Sequence, residues 1–123
     1  MVDDRQRFGQ TSEQMVAQYL QREGYRILET NYRTRAGEID IIADHNGTIV
    51  FIEVKARRSR SYGDPKWAIT PAKQRKLSML ALVYLKAHKA MYRRARFDVV
   101  TVQMVAAKPI IEVIRNAFEL AYG

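Results

Sequence analysis

At 123 residues, 47% hydrophobic and 28% charged, the chain is long enough to bury a core of its own and has the balance of a soluble globular domain. It has no cysteine, which excludes a disulfide framework and a thiolate metal site, and no apolar run approaches the about 18 residues of a membrane span. Lys and Arg exceed Asp and Glu by 21 to 13, and the net charge of +8 favours a polyanion, most commonly nucleic acid, as partner.

No repeat, low-complexity segment or long linker divides the chain, so one domain over 1–123 is expected. The opening MVDDRQRFGQ lacks the apolar region of a signal peptide, which points to a cytoplasmic protein away from membranes, with residues 1–10 flexible. A helix is expected from about Ser12 to Glu23, with Thr11 as cap, Gln14 in capping-box position and Gly24 as stop. Val16, Ala17 and Leu20 centre its apolar stripe, and Glu13 falls on that stripe. Glu13 is either a first-turn acid that complements the helix dipole or a carboxylate facing inward.

Tyr25 to Tyr32 reads as a first strand around Ile27 and Leu28. Arg33 and Arg35 follow in a loop ending at Gly37, as phosphate contacts or as ordinary solvated loop residues. The stretch GEIDIIADHNGTIVFIEVKARR, Gly37 to Arg58, then reads as a hairpin of two strands, Glu38–Asp44 and Ile49–Lys55. Asn46-Gly47 is a strong two-residue turn signal, because both residues take positive φ cheaply. That turn sets a register in which His45 faces Thr48, Asp44 faces Ile49, Asp40 faces Glu53 and Glu38 faces Lys55. Alternation places Glu38, Asp40, Glu53 and Lys55 on one face, and Ile39, Ile41, Ala43, Val50, Ile52 and Val54 on the other. Two carboxylates directly opposite each other repel. Either an ion-pair network on a solvated face relieves them, or a hard divalent cation such as Mg²⁺ or Mn²⁺ sits between Asp40 and Glu53.

Beyond Lys55 the chain is strongly basic, with Arg57, Arg58 and Arg60 leaving the strand beside those carboxylates, a setting suited to bidentate phosphate binding. Tyr62-Gly63-Asp64-Pro65 is read as a turn, and Trp67 and Ile69 as anchors to the core. Thr70-Pro71 starts a second helix to about His88, with Leu77, Leu80, Ala81 and Tyr84 inward. Lys73 and Gln74 in its first turn face the site, nucleic acid or solvent. His88 reads as a satisfied helix-end residue. A basic connection leads to a strand Phe97–Met104, where Asp98 has a structural role, then an edge strand Pro109–Ile114 and a short turn at 117–122. The whole is an α/β domain in the order α-β-β-β-α-β-β, with the hairpin at the centre of a mixed sheet flanked by helices.

Asp40 followed after the hairpin by Glu53-Val54-Lys55 resembles the PD-(D/E)xK nuclease signature, and FIEVK is similar to the form in archaeal Holliday junction resolvases. The likeness extends from Glu13 through GYRILETNYR, GEIDIIA, FIEVKARR and Tyr62-Gly63 to RFDVV, an order that resembles the YraN-type bacterial family. A proline before the acidic residue is frequent in such nucleases; Ile39 stands there in this chain. The resemblance implies a restriction-endonuclease-like core and a Mg²⁺- or Mn²⁺-dependent endonuclease acting on DNA, branched or structured DNA included. Within it Asp40, Glu53, Glu13 and the Val54 carbonyl hold the metal, and Lys55 orients water and stabilises charge. It also leaves room for a homodimer, since resolvase-like relatives pair. The alternative on the same fold is a non-catalytic nucleic-acid-binding module. A further alternative is a basic surface that meets an acidic protein.

Overall fold

The computed structural model describes residues 4–57 and 69–119, with side chains from Ser12 onward and without that of Arg57. Helix α1 (Asp4–Arg22) leads into strands β1 (Arg26–Thr34), β2 (Gly37–His45) and β3 (Thr48–Arg57); helix α2 (Pro71–Ala87) is followed by β4 (Ala95–Val105) and β5 (Lys108–Phe118). The strands lie in sequence order in one open sheet. Neighbours are antiparallel except β3 and β4, which run parallel because the chain crosses over through α2 between them. The element order and the mixed, helix-flanked sheet are those expected from the sequence.

Each helix covers one face. Val16 and Leu20 of α1 pack with Ile41, Ala43, Val50, Ile52, Val100 and Val102. Leu77, Leu80, Ala81 and Tyr84 of α2 pack with Ile39, Ile42, Phe51, Phe97 and Val99 on the other side, and Ile69 anchors there as expected. Burial on both faces explains why the central strands read as nearly continuous apolar runs. Among the described residues, no helix is long and apolar enough to cross a membrane.

The hairpin turns at Asn46 and Gly47, both in the left-handed region at φ 53° and 90°. Asp44 Oδ1 accepts the Gly47 amide at 3.0 Å, and Arg93 pairs with Asp44 and donates to the Gly47 carbonyl at 2.8 Å. The expected register holds from His45–Thr48 to Ile41–Ile52, where the ladder ends. Asp40–Glu53 and Glu38–Lys55 are therefore not strand pairs.

The expected alternation fails at the same place. Ile41 and Ala43 pack under α1, but Ile39 packs under α2 with its β1 partner Tyr32. The β1 residue between the pairs Thr30–Ile41 and Tyr32–Ile39 is Asn31, at φ 52°. The ribbon changes face between these pairs, beside the left-handed Asn31, so successive pairs face opposite helices.

Two boundaries differ by more than two residues, and Arg33 falls inside β1 rather than in the loop after it. Helix α1 begins at Asp4, so positions 4–10 belong to it and Thr11 lies inside it rather than at its cap. Gly9 costs a helix about 1 kcal/mol and does not end it, and a capping-box pattern is a preference that can occur in a helix interior. Strand β5 runs on to Phe118, beyond the expected Ile114, because Phe118 pairs with Phe97 after a bulge and their rings stack at 4.4 Å.

The β4–β5 hairpin turns on Ala106 and Ala107 at φ 50° and 63°. An L-residue with a Cβ is disfavoured there by about 1 kcal/mol or more, whereas Asn-Gly adopts this turn readily. The double substitution Ala106→Asn, Ala107→Gly is expected to stabilise the fold by about 1 kcal/mol, a rise of roughly 4 °C in a thermal melt.

Candidate metal centre

Where the β2–β3 ladder stops, a side chain takes over. The Val54 amide donates to Asp40 Oδ2 at 2.8 Å. This leaves Asp40 in the gap between the two strand ends, where it lines a cavity on the α1 side with Glu13, Asn31, Arg33 and Glu38. It also lines one on the α2 side with Gly37, Glu38, Glu53, Lys73 and Lys76. Gly37 is required at that wall. Its φ is 148°, and a Cβ would lie 3.2 Å from the Lys76 side chain.

Glu13, Glu38 and Asp40 each present a carboxylate oxygen within 4.8 Å of the others, an arrangement that could hold a metal ion. The inward reading of Glu13 is the one the structure adopts. With its amide nitrogen turned toward the acids, Asn31 donates to Glu13 Oε2 at 3.0 Å and to Glu38 Oε1 at 3.2 Å. Burial, then the Glu53 charge, push the Asp40 carboxyl up to about 7, with Glu13 and Glu38 adding to the rise and the Val54 amide opposing it. Burial and the Glu38 charge likewise raise Glu13, which shares a hydrogen bond with Asp40. A cluster of half-buried acids that resist ionising together is one whose charge a cation would relieve.

Glu53 is turned to a different partner. Its Oε1 accepts from Lys73 Nζ at 2.7 Å, across from the first turn of α2. Lys55 is half-buried on β3 beside Thr101 of β4. Arg33 donates from Nε to Glu38 Oε2 at 2.9 Å and closes the α1-side cavity. Arg35 is exposed in the β1–β2 turn. Gln74 is not brought to the acids; its Nε2 donates back to the Ile69 carbonyl at 2.8 Å. Val54 engages the site through its amide. The Arg57 side chain, Arg58, Arg60, the 62–65 turn and Trp67 lie outside the described residues. Glu38 and Asn31 are the residues that sequence reasoning did not assign to the centre. Glu38 reads in sequence only as part of an acidic face, and Asn31 carries only asparagine's general tolerance of the left-handed region, with no following Gly to mark a turn.

Fold and site together define an α/β domain with a carboxylate-lined centre at the sheet's central hairpin. The chain belongs to the uncharacterised protein family UPF0102, whose pattern it matches over residues 12–102. A UPF0102 protein of Syntrophus aciditrophicus is 54% identical over 95% of this chain and 92% of its own. One from Desulfosudis oleivorans is 50% identical over 97% and 95%. A solved structure of Pyrococcus furiosus SfsA in complex with Ca²⁺ is similar over 91% of this chain and 62% of that one, at 17% identity and a TM-score of 0.42, too distant a likeness to carry anything to this site.

A carboxyl whose pKa is about 7 folded and 3.8 unfolded binds its proton more tightly when folded. Stability therefore falls as pH rises from about 4 to about 7, and the full cost of the charge is felt above 7. Asp40→Asn, melted in EDTA, is expected to be more stable than wild type at pH 8 by on the order of 2–4 kcal/mol, at about 1.4 kcal/mol per pKa unit. The gain should shrink at pH 5 and vanish near pH 4. An equal difference at all pH values would show that Asp40 is not the titrating group.

Proposed function

We propose that the protein is a Mg²⁺- or Mn²⁺-dependent nuclease that hydrolyses phosphodiester bonds of DNA. The observation that carries this reading is the convergence of Glu13, Glu38 and Asp40 within 4.8 Å inside a chain of net charge +8. A basic protein that concentrates carboxylates at one point has the makings of a polyanion-binding surface with a cation centre. The donors are all oxygen, which suits a hard divalent ion. The motif Asp40…Glu53-Val54-Lys55, on the central hairpin of a restriction-endonuclease-like core, adds the reaction class.

In this reading Glu13, Glu38, Asp40 and Glu53, with the Val54 carbonyl, would hold the cation. A bound ion supplies Lewis-acid polarisation of the phosphoryl oxygen and a water of lowered pKa. Lys55 lies two residues after Glu53 on β3, and in this reading its ammonium stabilises the negative charge that builds on the phosphoryl group. Arg33 at the α1-side cavity, Arg35 in the β1–β2 turn, Arg57 at the end of β3, and Arg58 and Arg60 next in sequence orient the phosphate backbone. Matched cuts in a four-way junction would further require two copies of the chain. The alternative is a nucleic-acid-binding module without catalysis. The Glu53–Lys73 ion pair speaks for it, since it neutralises one acid without a metal.

Labelled duplex, single-stranded, flap and four-way-junction DNAs incubated with Mg²⁺, Mn²⁺ or EDTA separate the two. Cleavage that EDTA and Asp40→Asn abolish is expected. Lys55→Ala should lower the rate on the order of 100-fold, the scale of losing one charge-stabilising donor. Salt-sensitive binding with no cutting in either metal would instead establish the module.

A further inference from the structure

The two members of the Glu53–Lys73 pair are differently held. Glu53 sits on the central strand with its side chain 12% exposed, whereas that of Lys73 is 51% exposed. The Lys73 backbone is fixed, because its amide donates to the Thr70 cap at 3.2 Å, but the ammonium ends a flexible four-carbon stem. The acid cannot leave the site; the ammonium can. Burial works to lower the Lys73 pKa, but the hydrogen bond to Glu53 and the charges of Glu53, Asp40 and Glu38 outweigh it and hold the ammonium protonated.

The geometry points to Lys73 as a positioning residue that acts as the resident cation of Glu53, in competition with the divalent ion. Its ammonium takes one of the two Glu53 oxygens and offsets the charge that would draw an ion between Glu53 and Asp40. The inference rests on the metal-centre reading above. An ion held through Glu53 and the Glu53–Lys73 contact then oppose each other, and by linkage the pair weakens the ion by the same factor as the ion weakens the pair. The released ammonium stands at the start of α2, beside the cavity shared with Glu38 and Asp40, where a substrate phosphate would meet it. Lys73 would thus neutralise the acids before the metal arrives and serve the substrate afterwards.

Removing any nearby positive charge tightens cation binding to some degree, so a matched control is needed. Lys76 carries the same charge and lines the same cavity, but its stem lies over Gly37. Mn²⁺ titration calorimetry on wild type, Lys73→Met, Lys76→Met and Asp40→Asn makes the comparison. Lys73→Gln serves as a second replacement and circular-dichroism melts as the folding check. Lys73→Met and Lys73→Gln should bind Mn²⁺ about fivefold or more tightly than wild type, at the low end of typical coupling factors. Lys76→Met should stay within about twofold, the effect of a screened neighbouring charge. Equal tightening in the two Met variants, or none in either Lys73 variant, overturns the competition and leaves the metal centre standing. Absence of Mn²⁺ binding in wild type and all lysine variants overturns the metal centre itself, and the competition with it.

Discussion

The Asp40 carboxylate accepts the Val54 amide at 2.8 Å, and the layout of the site follows from that bond. In an uninterrupted hairpin a main-chain carbonyl would serve each inward amide. Here the ladder ends at Ile41–Ile52 and the Asp40 side chain accepts the Val54 amide, which is therefore not orphaned while the strand ends part. The parting opens a gap in an otherwise two-sided core. Through it Asp40 is reached from the α1 face by Glu13 and from the α2 face by Glu53. The amide favours the charged form of Asp40, but burial and three neighbouring carboxyls favour the neutral form and prevail. The result is a local cost in stability at the point where the fold concentrates its acids, as sites built for binding tend to carry.

The two helices divide the work. Helix α1 is held by Val16 and Leu20 against the sheet, and that packing carries Glu13, three residues before Val16, to the gap. Helix α2 is held by Leu77, Leu80 and Tyr84 on the opposite face, and its capped first turn delivers Lys73 to Glu53. One face contributes an acid and the other a cation, so the centre combines carboxylates that could hold a metal ion with a built-in counter-charge. Asn31 joins the two halves. Its backbone is left-handed where the β1–β2 ribbon changes face, and its amide bridges Glu13 and Glu38, which would otherwise repel.

What was legible in the sequence was whatever local chemistry decides. Asn46-Gly47 set the turn and, with it, the register as far as Ile41–Ile52. Thr70-Pro71 set the start of α2, and the 3.6-residue period brought Glu13 inward. What was not legible depends on a break in regularity. Strict alternation assigns Ile39 to the face of Ile41, but it packs on the other face, beside the left-handed Asn31. The same regularity made Asp40 and Glu53 strand partners, when one is bonded to an amide and the other to an ammonium. Glu38 reads in sequence as part of an acidic face, and its approach to Glu13 is a tertiary contact between β2 and α1 that no local pattern marks. Periodicity predicts where side chains go in a repeating element, and this site is built where the repeat stops.

A second buried acid in the same sheet supplies the contrast that gives Asp40 its meaning. Asp98 of β4 is 1% exposed, more deeply buried than Asp40, yet its oxygens are fully engaged by donors. Tyr25 donates its hydroxyl at 3.1 Å, Arg96 its Nε at 3.0 Å, and Asn116 its amide at 3.0 Å. Arg96 also donates to Nδ1 of His45, which stacks on Tyr25 at 4.1 Å, and so ties β2 to β4 at the end of the hairpin away from the gap. That is how this fold treats a carboxylate it needs for structure: a guanidinium, a phenol and an amide surround it. Asp40 has one amide and faces Glu13, Glu38 and Glu53. The fold can neutralise a buried acid with its own donors and does so at Asp98. At Asp40 it gathers further acids instead, an arrangement that could hold a cation from outside the chain.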